Sequence, residues 1–177
     1  MNQLKLLSDI TGIDIGFETS ITLAIFAKAY YDSPDLTFSR AKGEMIRLSG
    51  VLFEFRDNDK LMYHSLFHEL AHATGHKSRL NRESLMHYMI NPLAKPVEET
   101  IADTVANRLM KHYGYDTPEL DEQHRQYKEQ FKHHLPDEAI NPDIALAYNM
   151  VRSWTDQVIV RSDELVQQLY KEFMKAG

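Results

Sequence analysis

The spacing of apolar and polar positions changes several times along the chain, and each change marks an element. From Glu18 to Tyr31 the apolar residues recur at helical spacing, with Thr19 or Ser20 placed as a cap and Ser33-Pro34 as a stop, which predicts an amphipathic helix. Between Leu36 and Phe55 the runs shorten. Leu36-Thr37-Phe38, Met45-Ile46-Arg47-Leu48 and Val51-Leu52-Phe53 are β-prone and broken by Gly43 and Gly50, predicting a small sheet. Arg56-Asp57-Asn58-Asp59 is a capping cluster ahead of a helix to about Thr74, with Gly75 at the C′ position. Asn91 to Pro96 breaks the pattern. Pro96 suits the first position of the next helix, whose opening turn would hold Glu98 and Glu99 and whose end falls at Gly114. A charged segment, Glu119 to His134, precedes helical patterns at Ile144 to Val160 and Asp163 to Lys175.

Helix therefore exceeds strand, and the expected class is α+β, mostly helical with a small sheet beside a central helix. With 177 residues and no repeat or Gly/Ser linker, one domain over 1–177 is expected. The 43% of apolar residues supply a core. Twenty basic against 26 acidic residues leave a net charge of −6, so no basic field is available to attract a phosphate backbone and no nucleic-acid partner is expected. The absence of cysteine excludes disulfides, thiol nucleophiles and Cys-ligated metal, so a metal here must be held by His and carboxylates. The first residues lack a charged leader, and the longest apolar stretch, Ile21 to Tyr31, is interrupted by Thr22 and Lys28. The expectation is a cytoplasmic protein without a membrane span.

The chemistry concentrates at His68-Glu69-Leu70-Ala71-His72, an H-E-x-x-H arrangement on the central helix. Four residues turn a helix by roughly 400°, so both imidazoles stand on one face, one turn apart, and can reach a single ion. Glu69 lies on the flank of that face, where it can act as general base without ligating. A Zn²⁺ ion with three protein ligands keeps a fourth position for water and lowers that water's pKa to about 7; Glu69 would take the proton and pass it to the leaving amine. Other first-row divalent ions suit the same donors.

A third ligand is needed, and Glu98-Glu99-Thr100-Ile101-Ala102-Asp103 offers two candidates. On a helical wheel Glu98 falls nearer the centre of the apolar arc, where an isolated carboxylate is costly unless a cation satisfies it. Glu99 falls at the arc's edge, as befits a cleft, and has Asp103 one turn on to accept the second N–H of a ligating imidazole. Glu99 is preferred, with Glu98 the rival. His64, one turn before His68, is expected to line the cleft or support a ligand. His76 lacks the register of an H-E-x-x-H-x-x-G-x-x-H ligand and is expected to line the cleft or, with Lys77 and Arg79, to hold the turn. His87, Tyr88, His112 and Tyr113 are possible oxyanion donors, but each is expected to be structural or at the surface.

The run from Tyr63 to Arg82, with H-E-L-A-H, then Thr74-Gly75-His76 and the basic Arg79-Leu80-Asn81-Arg82, resembles the zincin-like metallopeptidase domain of ArdC-type antirestriction proteins and related polyvalent proteins of plasmids and phages. The likeness extends from about Leu36 to Trp154. It implies a zincin-like fold, His68 and His72 as metal ligands, Glu69 as the catalytic acid/base and Glu99 as the glutamate ligand of an E-E-x-x-A-E motif, with Asp103 in place of the last Glu. ArdC-type proteins carry an N-terminal single-stranded-DNA-binding region; only 35 residues precede Leu36, so DNA binding is not carried over. The expected function is a zinc-dependent peptidase acting on a protein or peptide, in an antirestriction setting, with the Met45 to Ser49 strand edging the cleft and pairing with substrate. The rival is a non-catalytic antirestriction or interaction protein with a structural metal site. Glu69, for which a structural site has no use, separates the two.

Overall fold

A helix buried on almost every side organises the chain. The computed structural model describes residues 3–18, 29–50, 59–118 and 141–159, with the helical positions 122, 125, 126 and 129. In chain order these form α1 (Gln3–Thr11), β1 (Asp14–Glu18), β2 (Ala29–Asp32), β3 (Met45–Ser49), α2 (Asp59–Thr74), α3 (Glu83–Met86), α4 (Ala94–Tyr113) and α5 (Pro142–Thr155). Helix α2 packs most extensively on α4, and α5 touches both. Leu66, Phe67 and Leu70 of α2 meet the stripe of α4 that includes Ile101, Val105 and Leu109, all essentially inaccessible to water. From Ser65 to Thr74 every α2 residue except His68 is buried, so this helix shows no polar face of the kind a surface helix presents.

Three strands lie in the order β1-β3-β2, with β1 parallel and β2 antiparallel to β3. Ile46 is opposite Ile15 on one side and Tyr31 on the other, so its side chain reaches the core at the sheet's centre. Strand β3 is thus paired on both edges and has no ladder left for a substrate. The expectation that it borders the cleft is corrected: β2 does so.

Several other expectations change. The helix predicted from Glu18 to Tyr31 is contradicted at both ends: Glu18 closes β1 and Ala29–Asp32 forms β2, while residues 19–28 lie outside the described ones. Short apolar runs fit either period, and here pairing with β3 decides. Tyr30 and Tyr31 point to opposite faces, each donating its hydroxyl to a carboxylate, Glu18 at 3.1 Å and Glu44 at 2.6 Å. Leu36-Thr37-Phe38 is turn rather than strand, and Phe38 adopts φ 67°. For a bulky residue that left-handed conformation costs on the order of 1–3 kcal/mol. Val51-Leu52-Phe53, most of Glu119 to His134 and all of Asp163 to Lys175 lie outside the described residues. Elements α1 and β1 have no counterpart in the sequence reading. Among the described residues no helix is long and apolar enough to cross a membrane.

Helix α4 starts at Ala94, two residues ahead of Pro96, so Glu98 and Glu99 sit in its second turn, beyond the exposed amides that would favour them electrostatically. Gly114 closes α4 in the left-handed conformation at φ 71°. Gly75, read as a helix-ending glycine, is absent from the positive-φ glycines and serves another need. The Arg82 guanidinium lies across it, and a Cβ there would stand 2.8 Å from Nη2 and 2.9 Å from Cζ. That guanidinium cannot swing aside: it donates to Thr74 Oγ1 at 2.7 Å, to the Ala71 carbonyl at 2.8 Å and to Glu98. Gly75→Ala is therefore expected to destabilise the protein by about 1–3 kcal/mol, read as a lower denaturation midpoint. An alanine variant as stable as the parent would refute the packing argument.

Candidate metal centre

The site arises where the buried half of α2 crosses the second turn of α4. His68 and His72 project from one face of α2, their Nε2 atoms 3.1 Å apart. Glu99 of α4 places Oε2 3.3 Å from His68 Nε2. Ligand atoms of His68, His72 and Glu99 all lie within 4.8 Å of one another. The same cleft, about 920 Å³ in volume, is lined by Glu69, His64 and Asp103 as well as by β2.

The neighbouring glutamate does something different. Glu98 is fully buried. It receives Arg82 Nε at 3.0 Å and Nη2 at 2.5 Å, Ser84 Oγ at 2.6 Å, and faces His72 Nδ1 at 3.1 Å. Burial alone would raise its pKa, but the bonds from His72 and Arg82 bring it down to about 2, so it is an ionised acceptor. The proton of neutral His72 must then sit on Nδ1, which leaves the Nε2 lone pair directed at His68.

A lone pair, a second imidazole and a carboxylate facing one point call for a cation, and the donor set fits a divalent one. In the protein alone a proton takes that place. Burial works against charge on His68, yet its bond to Glu99 and the nearby Glu69 and Asp103 outweigh this and hold its pKa up at about 9. Glu99 is held well below the ordinary carboxylate range: burial opposes ionisation, but the bond and charge of protonated His68 and the bond from Tyr88 prevail. The Tyr88 hydroxyl donates to Glu99 Oε1, and the ring stands edge-on to His72. Glu69 is only 7% exposed; burial raises its pKa, offset in part by His68 and His72, and its carboxylate accepts the backbone N–H of Tyr31.

Of the residues singled out from sequence, His68, His72, Glu99 and Glu69 come together in the cleft, with His64 and Asp103 at its wall, 3.5 Å from each other. Glu98 is the acceptor facing His72 Nδ1, and Asp103, which pairs with His64, also helps to raise the pKa of His68 by its charge. His76 is outside the cleft lining: its ring bridges Ser78 Oγ and Asp35 Oδ2, both at 2.8 Å, and so ties the turn after α2 to the loop after β2. Arg82, Ser84 and the Tyr88–Glu99 bond were not assigned these parts in the sequence reading. The basic tail ending in Arg82 was visible, but nothing in its spacing tells that the guanidinium folds back under α2.

A family model described as a zincin-like metallopeptidase matches residues 26–141. No curated protein and no solved structure matches the chain.

Glu98→Ala is expected to cost about 3–5 kcal/mol, because it strands the buried Arg82 guanidinium. The acid side carries a sign. Glu98 titrates near 2 in the fold against an ordinary 4.5, so its contribution is present above about 4.5 and is lost as pH falls toward 2. Denaturant titrations between those limits should show a steeper loss for the parent than for Glu98→Gln. Equal slopes would count against the ionised buried acceptor.

Proposed function

Because this chain belongs to the zincin-like metallopeptidases, we propose that it is a metal-dependent peptidase in which His68, His72 and Glu99 hold a divalent cation and Glu69 moves the proton of hydrolysis. The observation that supports this most is the convergence of two α2 imidazoles and one α4 carboxylate in a cleft that Glu69 also lines. Zinc is the first choice for a His₂Glu set, with other first-row divalent ions suited to the same donors. Glu98 is the acceptor behind His72 rather than a ligand, since its oxygens are taken by Arg82, Ser84 and Nδ1.

When bound, the cation polarises a carbonyl and acidifies a water. The residues of the chain do the rest. Glu69, steadied by the Tyr31 amide, accepts the water's proton as the oxygen joins the carbonyl carbon, and returns it to the amine as the C–N bond breaks. Glu98 fixes the tautomer and ring direction of His72, and Tyr88 holds the Glu99 carboxylate in place. Strand β2, hydrogen-bonded on one side to β3 and lining the cleft, is the element along which an extended chain would lie. The net charge of −6 favours a protein or peptide substrate over nucleic acid. On the resemblance of Tyr63 to Arg82 to ArdC-type proteins, the setting of the activity is antirestriction.

Glu69→Gln spares every proposed ligand, so it should retain metal while peptide hydrolysis falls by about 10²–10⁴-fold, read on a fluorogenic protein substrate beside metal analysis. Hydrolysis at the parental rate in that variant would overturn the reading. Chelation should abolish activity and added zinc restore it. Glu99→Ala should lose the metal, whereas Glu98→Gln, keeping all three donors, should bind it about 10–100-fold more weakly. Below pH 9 metal uptake must also displace the proton held by His68. Calorimetry in buffers of different ionisation heat should therefore record release of about one proton per chain at pH 6, below the range in which a metal-bound water ionises; none would argue against His68 as a ligand.

A further inference from the structure

Phe38 combines three features that packing does not explain. It is 80% exposed, the most exposed of the large apolar residues described. It holds φ 67°, a backbone state that bulky residues avoid. It also lines the cleft that contains Glu69 and the His68–His72–Glu99 cluster. A second exposed apolar side chain, Met89 at 64%, lines the same cleft from the segment after α3. The two segments are tied together, since Thr37 Oγ1 donates to the Met86 carbonyl at 3.5 Å. Strained backbone persists where surrounding structure enforces it, and it clusters at ligand-contacting positions.

We propose that Phe38 is a specificity-determining residue which, with Met89, forms an apolar clamp at the mouth of the cleft for a large apolar side chain of an extended peptide. The class of occupant rests on the peptidase reading. Two observations point to that occupant. The clamp is continuous with the cleft, whose other apolar lining includes Leu36, Leu61, Leu85 and Met86, so an apolar side chain entering there leaves water on several sides. Away from the metal centre the lining offers only Arg40 and Lys95 as cations, with Asp32 also in the lining, and the chain carries a net charge of −6, which does not suit a polyanion stacking a base on Phe38. The thioether of Met89 adapts to side chains of different outline, so the preference is for large apolar residues as a group.

The test uses the full chain with equimolar zinc in the Glu69→Gln background, so that binding is read without cleavage. Fluorescent decapeptides of otherwise random sequence carry Phe, Leu, Ala or Glu at the centre, and oligo(dT) serves as the nucleic-acid probe. The Phe and Leu pools should bind about tenfold more tightly than the Ala and Glu pools, and Phe38→Ala should erase that difference while Phe38→Leu keeps most of it. Phe38→Gly should erase it too, yet melt about 2–4 °C higher, because glycine accepts the positive φ; a merely structural Phe38 would give a lower melting temperature. The clamp is overturned if the pools bind alike, if Phe38→Ala leaves the preference intact, if Phe38→Gly is less stable, or if oligo(dT) binds through Phe38. Cleavage by the parent protein, mapped by mass spectrometry, separates the two readings. Selective binding without cleavage sinks the peptidase and leaves the clamp, whereas cleavage with no apolar residue beside the cut sinks the clamp and leaves the peptidase.

Discussion

A carboxylate with no access to water, that of Glu98, is the constraint around which the centre is built. Placing an ion in the interior costs several kcal/mol even after relaxation, and the cost is met only where partners saturate it. Here Arg82 supplies two donors, Ser84 a third and His72 Nδ1 a fourth. Each partner then imposes a condition elsewhere. Arg82 must cross beneath the end of α2, which forbids a side chain at position 75 and shapes the turn that leads to α3. His72 must protonate on the side away from the cleft, which turns its lone pair inward. A single buried charge thus links the turn, the tautomer and the packing of α2 on α4.

Much of this was legible in the sequence because helical geometry is local. The four-residue spacing of His68 and His72 places both rings on one face whatever the surroundings, and the boundary at Gly114 follows from a short-range signal. The errors fall where distant pairing decides. Ala29–Asp32 reads as the end of a helix until β3 is beside it, and β3 reads as an edge until β1, from the first eighteen residues, is found on its other side. The sequence favours Glu99 over Glu98 without explaining the part Glu98 plays, for a related reason. A wheel ranks positions by burial, but it cannot see that a guanidinium sixteen residues away waits in the apolar interior to neutralise the more buried acid.

The loop between β2 and β3 shows how the same logic extends to the cleft wall. His76, just past α2, grips Asp35, while Arg79 and Tyr31 both bind Glu44. These contacts pin both ends of the loop to the turn that Arg82 organises, and the stretch between them, with Leu36 and Phe38, is the part that faces the cleft. The buried scaffold and the exposed rim are therefore mechanically continuous, and strain at Phe38 can be sustained because its flanks are tied down.

Consecutive residues on a helix diverge by roughly 100°, which is what lets Glu98 and Glu99 serve opposite sides of one imidazole pair. Glu98 reaches the far nitrogen of His72 through the interior, and Glu99 reaches the near nitrogen of His68 at the cleft. For both to work, α2 and α4 must approach closely and keep one register. Ala71 and Ala73 on α2 and Ala102 and Ala106 on α4, all fully buried, remove the bulk that would hold the helices apart. Larger residues there would separate the two helices that must agree on where the cation sits. The geometry of the centre is in this sense a property of the helix interface, and the acidic pair records its register.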